Sequence, residues 1–147
     1  MADAREMRAK VKAQYPGHSI WDLKYAPGGL VDIEFIAQAL QLAHAPSHPA
    51  VLDTGTIAAL EKLAAAGCVG RDDAEALIGA ARLQHALTQI VRIALSEDLD
   101  PATAAPGLKA LLTQAGGTAD FAVLERRLRA TQAAAHALFG RLLGAEP

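Results

Sequence analysis

Apolar positions along this chain recur mostly at spacings of three and four, which predicts helices almost throughout. Residues 3–14 read as a first helix, with Met7, Val11 and Tyr15 as an apolar edge among Arg5, Arg8, Lys10 and Lys12, ended by Pro16 and Gly17. In residues 16–28, Trp21, Leu23 and Tyr25 alternate with polar neighbours. Three such residues fit a short strand, but the helical context favours an ordered loop with apolar anchors. A second helix starts near Gly29 and runs to about His44, with Leu30, Ile33, Ala37 and Leu40 as its buried face and Phe35 and Ile36 widening it.

A third helix fits 54–66 and stops at Gly67. The fourth begins at Asp72, with Glu75 as capping-box partner, and continues to about Glu97 along Leu83, Leu87, Ile90 and Ala94. "DLDPATAAPG" is a turn-rich break in which Asp100-Pro101 fits a capped turn, and "LKALLTQA" is a short helix ended by Gly116-Gly117. In the last helix Thr118 is the expected N-cap. Its heptad-like seam is Phe121, Leu124, Leu128, Thr131, Ala135, Leu138 and Leu142, which packs nearly antiparallel to a neighbour. Glu125 and Arg129 stand i,i+4 on its outer face. The expected fold is all-α: a bundle of five or six helices, mostly antiparallel. It forms one domain over 1–147, with the first helix at 1–15, a motif loop at 16–28 and the bundle at 29–147.

Composition narrows the classes. The chain has 147 residues, enough for one core, and is 52% apolar and 20% charged, as soluble globular domains are. Aromatics are only 4%, so the core falls to Leu, Ile, Val and Ala. A net charge of -2 gives no field for nucleic acid or an anionic membrane, and neither is an expected partner. There is no apolar run of about 18 residues and no signal-peptide pattern at the N-terminus. A single cysteine, Cys68, rules out an internal disulfide. The expectation is a soluble cytoplasmic protein.

"LKYAPGGLVDIEF" (23–35) departs from this background, with a proline and two glycines at a helix entrance and two acids close behind. With Gly29 as N-cap, Asp32 falls at N3, where an acid accepts from free amides and opposes the helix dipole. Glu34 points about 200° away from Asp32, at about 100° per residue, along a polar strip with Gln38 and Gln41. That strip is either plain solvent exposure or a polar surface facing another domain. Lys24 beside an open helix N-terminus is in principle an anion-binding arrangement, but the two acids weaken it and no Walker-type spacing is present.

Other candidate chemistry is thin. His44 and His48 are separated by three residues with Pro46 between them and no third ligand nearby, so they read as a surface turn and no metal site is expected. His85 and His136 read as packed or solvated, and Cys68 as an inert thiol at a helix end. Arg126, Arg127 and Arg129 read as a solvated face. No catalytic residue set is complete.

"MRAKV" at 7–11 followed by "DLKYAPGGLVDIEFIAQALQL" at 22–42 resembles the signature of the glutamine-synthetase adenylyltransferase family, the bifunctional adenylyltransferase/adenylyl-removing enzymes. The signature's fixed elements are met by Asp22, Leu23, Lys24, Gly28, Gly29, Leu30, Asp32, Ile33, Glu34, Phe35 and Gln38. The remaining hundred or so residues agree with the family only in being helical.

The resemblance implies a fragment of a larger nucleotidyltransferase. Such enzymes carry two catalytic domains, each followed by a helical domain with a version of this motif. One half adenylylates a tyrosine of glutamine synthetase with ATP and the other removes the group. The "VDIEF" form, without the Arg-Glu of the N-terminal copy, and the chain's end soon after its last helix imply the C-terminal helical domain. The family's Gly-Ser and Mg²⁺-binding Asp-x-Asp are missing, since "DLD" at 98–100 lies in a turn after a helix. ATP and Mg²⁺ would therefore belong to the parent enzyme, and the fragment would not transfer adenylate alone. Lys24 would meet a nucleotide phosphate. Asp22, Gly28, Gly29, Asp32, Glu34 and Gln38 would form the interface with the nucleotidyltransferase domain, the glycines letting the entrance approach that separate lobe. The expected partners are that domain, glutamine synthetase and the PII protein, and an alternative role is a regulatory module that binds PII or relays its signal. A PII-uridylyltransferase relative fits the motif less well.

Overall fold

A computed structural model describes residues 2–94 and 99–144. Six helices order them: α1 (Ala2–Gln14), α2 (Leu30–His44), α3 (Thr56–Ala65), α4 (Arg71–Ala94), α5 (Pro106–Ala115) and α6 (Phe121–Leu143), with a 3₁₀ turn at Pro49–Val51. The fold is all-α, and among the described residues there is no strand. The expected end of the fourth helix near Glu97, and Asp98 of "DLD", lie outside the described residues.

Helix ends follow the glycines. Gly67 at φ +70° and Gly117 at φ +63° take left-handed positions that other residues adopt at a cost. Behind them the Cys68 amide donates to Leu63 O at 2.9 Å and the Thr118 amide to Thr113 O at 3.2 Å, closing α3 and α5. Two expected helix starts are corrected. Helix α4 begins at Arg71, so Asp72 sits inside its first turn with Asp73. Helix α6 is capped by Asp120, whose side chain accepts from Val123 N at 2.8 Å. Thr118 is occupied in closing α5, which leaves the next carboxylate to cap α6.

The core divides into two apolar clusters. One joins α2, α3, the first half of α4 and the last half of α6 through Ile33, Ile36, Leu60, Leu63, Leu77 and Phe139. The other joins the motif loop, the second half of α4, α5 and the first half of α6 through Trp21, Leu23, Leu87, Leu112, Leu124 and Leu128. The early part of α4 thus meets the late part of α6 and the reverse, so these two long helices run antiparallel. Where the clusters meet, α4 and α6 contribute Gln84 and Gln132, both buried.

The expected stripes hold on α2, where Leu30, Ile33, Ala37 and Leu40 are all buried with Ile36. Elsewhere they shift. On α6 Gln132, not Thr131, takes the core position, and Leu143 is buried more fully than Leu142; on α4 Ala94 is exposed. On α1 the apolar edge is corrected outright: Met7 is 53% and Tyr15 44% exposed, while Arg8 is 4% exposed. Arg8 turns inward because a buried carboxylate waits for it. Glu125 accepts from the Trp21 indole at 2.9 Å instead of pairing with Arg129.

Between the 3₁₀ turn and α3, the Asp53 carboxylate accepts from Gly55 N at 2.8 Å and pairs with Lys62 Nζ at 3.0 Å. The Gly55 amide first, then Lys62, hold its carboxyl below the usual carboxylate range. A carboxyl depressed on folding stabilises the fold above its unfolded value of about 4 and stops doing so as pH falls through the lower folded value. Asp53→Asn is therefore expected to lower the Tm at neutral pH, with the gap to the parent chain narrowing as the pH falls below the ordinary carboxylate range of about 4. Thermal melts across pH check this; a gap independent of pH would assign the loss to packing.

Candidate functional site

The double-glycine entrance is built from the loop upward. Trp21 and Leu23 are buried anchors, and Asp22 Oδ1 accepts from Tyr25 N at 3.2 Å to turn the chain. The loop then folds its carbonyls over the start of α2: Leu30 N donates to Leu23 O at 2.9 Å and Val31 N to Lys24 O at 3.0 Å. The first amides of α2 are thereby satisfied from within. The open N-terminus that would have helped Lys24 hold an anion is not present, and that expectation is corrected.

Gly28 stands at φ +75°, and a Cβ there would overlap the backbone carbonyl of Gln132 on α6. A Cβ on Gly29 would meet the carbonyl oxygens of Ala26 and Leu23 at 2.8 and 2.9 Å. The expectation that the two glycines press on a separate lobe is corrected as well, because they press on this bundle's own α6 and on their own loop. Gln84 Nε2 donates to Gly28 O at 3.1 Å, while Gln132 Nε2 donates to Gln84 Oε1 at 3.0 Å and to Ile20 O at 2.8 Å. Two buried glutamines thus satisfy the loop carbonyls that the close approach seals from water.

Asp32 is 2% exposed and so lies inside the bundle rather than on a cleft. From N3 its Oδ2 accepts from Gly28 N at 2.6 Å, an amide of the loop just before the N-cap rather than one of the helix's own first amides. Its other oxygen pairs with Arg8 Nε, and His136 Nδ1 lies 3.6 Å from Oδ2. Arg8 also donates to Tyr25 O at 3.3 Å. One carboxylate thus fixes loop, α1 and α2 together, with α6 alongside. Sequence reasoning missed Arg8, Gln84 and Gln132. The available signal was a polar residue in step with an apolar stripe: Gln84 three residues before Leu87, and Gln132 four after Leu128.

The accessible motif residues lie on the other side of the entrance. Lys24 and Gln38 are exposed and Glu34 half-buried. Together with Val11, Tyr15, Tyr25, Val31 and Phe35 they line a groove of about 290 Å³ between α1 and α2. Its floor is apolar (Val11, Val31, Phe35) and its rim is polar. Tyr15 and Tyr25 stack at one end with centroids 4.4 Å apart, and Lys24 Nζ sits 5.1 Å over the Tyr25 ring. Asp22, half-buried, lines an adjoining hollow of about 530 Å³ that Lys24 and Tyr25 share. Gln41 leaves the expected strip: it is 8% exposed and accepts from Asp53 N at 2.7 Å.

Of the remaining candidates, His85 is exposed. Arg127 donates to Gly116 O at 2.6 Å at the end of α5 instead of only facing solvent. The expectation that His44 and His48 lack a third ligand is corrected, for the fold brings Cys68 to them, with ligand atoms of all three within 4.8 Å of one another. No described helix is long and apolar enough to cross a membrane.

A family model described as GlnD PII-uridylyltransferase matches residues 5–143. The chain belongs to this family. It is 46% identical over 142 residues to the "Bifunctional glutamine synthetase adenylyltransferase/adenylyl-removing enzyme" of Rhodopseudomonas palustris (strain HaA2), covering 97% of this chain and 14% of that enzyme. The proteins of the same name from R. palustris (strain BisB5) and Xanthobacter autotrophicus (strain ATCC BAA-1158 / Py2) are 44% and 43% identical over 144 and 141 residues, which is 98% and 96% of this chain and 15% and 14% of theirs. The chain thus spans about one-seventh of the length of these relatives. The likeness runs far beyond the motif, correcting the view that the rest agrees only in being helical.

Two substitutions probe the entrance. Gly28→Ala is expected to cost more than about 3 kcal/mol, since it adds strain at positive φ to a backbone clash. Urea denaturation checks this, and a loss under about 1 kcal/mol would show that the loop can lift from α6 freely. Asp32→Ala strands a buried guanidinium and is expected to cost about 3–5 kcal/mol, part of which the double variant Arg8→Met/Asp32→Ala recovers. Equal losses in the single and double variants would deny the coupling.

Proposed function

We propose that this chain is the C-terminal helical domain of a bifunctional glutamine synthetase adenylyltransferase, packed against the nucleotidyltransferase domain that does the chemistry. In this reading the domain supports ATP-dependent adenylylation of a glutamine synthetase tyrosine, and ATP and Mg²⁺ bind in the catalytic domain. The observation that carries it is the groove between α1 and α2, which the motif's accessible residues Lys24, Glu34 and Gln38 line together. The motif's buried residues hold the scaffold, so its accessible ones are left for a partner. An apolar floor with one cation and one anion on the rim suits a docked protein segment, and the charges set its register. In this reading Lys24 meets a nucleotide phosphate at the junction, by its own charge and without help from helix amides.

A second reading is a module that binds PII or relays its signal. The family model's description, which names a PII-uridylyltransferase, favours it.

The test places this chain in the R. palustris enzyme instead of the aligned segment and adds Lys24→Ala and Glu34→Ala. Both side chains are accessible, so the fold should lose no more than about 0.5 kcal/mol each. Adenylylation of glutamine synthetase is expected to fall at least about tenfold, equivalent to 1.4 kcal/mol or so of lost stabilisation. Unchanged rate with unchanged ATP dependence removes the docking role. Titration of the isolated chain with PII and with ATP separates the readings, PII affinity without nucleotide affinity favouring the second.

A further inference from the structure

The far end of α2 carries a second arrangement, independent of the groove. His44 is the last residue of α2, and the chain keeps turning past it, with His48 N donating to His44 O at 2.8 Å. That i,i+4 relation sets the two imidazoles on one face in spite of Pro46, and His-x₃-His is a spacing that zinc sites use. Cys68 comes from the end of α3. Gly67 at φ +70° reverses the chain, and the Cys68 amide closes the turn on Leu63 O at 2.9 Å. Leu63 and Val51, both buried, belong to the same apolar cluster as Leu40 of α2. The ligand atoms of His44, His48 and Cys68 then lie within 4.8 Å of one another, with His48 exposed and the other two half-buried.

We propose that His44, His48 and Cys68 bind one Zn²⁺ ion in a tetrahedral site whose fourth position is taken by water. Zinc accepts imidazole nitrogen at about 2.0–2.1 Å and thiolate sulfur at about 2.3 Å, which in a tetrahedron sets ligand atoms about 3.3–3.6 Å apart. Rotation of three surface-facing side chains by about 1 Å closes the difference and leaves the backbone in place. Two imidazoles and one thiolate select a borderline-soft ion over Mg²⁺ or Ca²⁺, which take oxygen ligands. Binding exchanges Zn–water bonds of the hydrated ion for two Zn–N bonds and one Zn–S bond, keeps one water, and releases the displaced waters and the thiol proton to solvent, with no change of oxidation state. The ion clips the end of α2 to the end of α3.

Titration of the metal-free full chain with Zn²⁺ against a chromogenic chelator is expected to give one ion per chain with micromolar or tighter affinity. Co²⁺ in place of Zn²⁺ is expected to show a thiolate-to-cobalt charge-transfer band. Cys68→Ser removes the band, and both it and His48→Ala weaken Zn²⁺ at least about tenfold, whereas the exposed His85→Ala changes neither. With free Zn²⁺ about 100-fold above Kd the unfolding constant falls about 100-fold, seen as a higher Tm that Cys68→Ser loses. Circular dichroism confirms that each variant folds. Zn²⁺ binding equal in the parent chain and Cys68→Ser, or Co²⁺ binding without the sulfur band, overturns the site.

Discussion

Where Gly28 meets Gln132, two backbones approach with no side chain between them, and much of the entrance follows from that contact. Sealing a loop against a helix removes its amides and carbonyls from water, and each must find a partner inside. The Gly28 carbonyl takes Gln84, and the Gly28 amide takes Asp32. Asp32 is then a buried anion, which is tolerable only beside a cation, so Arg8 is drawn in from α1. One steric condition at a glycine thus propagates through α4, α2 and α1. It also fixes where the two apolar clusters meet, because the glutamine pair lies at the α4–α6 crossing.

The same constraint sorts the motif. Residues needed for the closure are consumed by it: Gly28, Gly29 and Asp32 are buried. Lys24, Glu34 and Gln38 are not consumed and face outward beside a groove whose walls are held by α1 and α2. The Asp32–Arg8 pair anchors α1, so that wall is fixed to the entrance by a buried charge pair. A short signature therefore contains two kinds of residue, those that make the scaffold and those that the scaffold displays. Spacing along the chain does not separate them.

Helices α2, α3 and α5 were legible from periodicity and glycine stops, and so was the character of the 16–28 loop. Helix starts were less legible, because Thr118 and Asp120 are both good caps and only the closing of α5 decides between them. The buried Arg8 was illegible for a stronger reason. On α1 the apolar pattern names Met7 and Tyr15, and a buried arginine contradicts it unless the partner carboxylate is known to be buried already. Gln84 and Gln132 were hidden likewise, as they match the helical period but not its polarity. The metal-ligand cluster was half visible as His-x₃-His, while its third member is twenty residues from His48.

By itself the sequence determined the all-helical class, the positions of the glycine stops and the identity of a family signature. These depend on local propensity, on repeat spacing and on residue order, all of which are present in one dimension. Only the tertiary structure decided what the glycines press on, which acid is buried, and that Cys68 stands beside His44 and His48. Those are contacts between elements far apart in the chain, and they exist only once the helices have packed and each sealed polar group has found its partner.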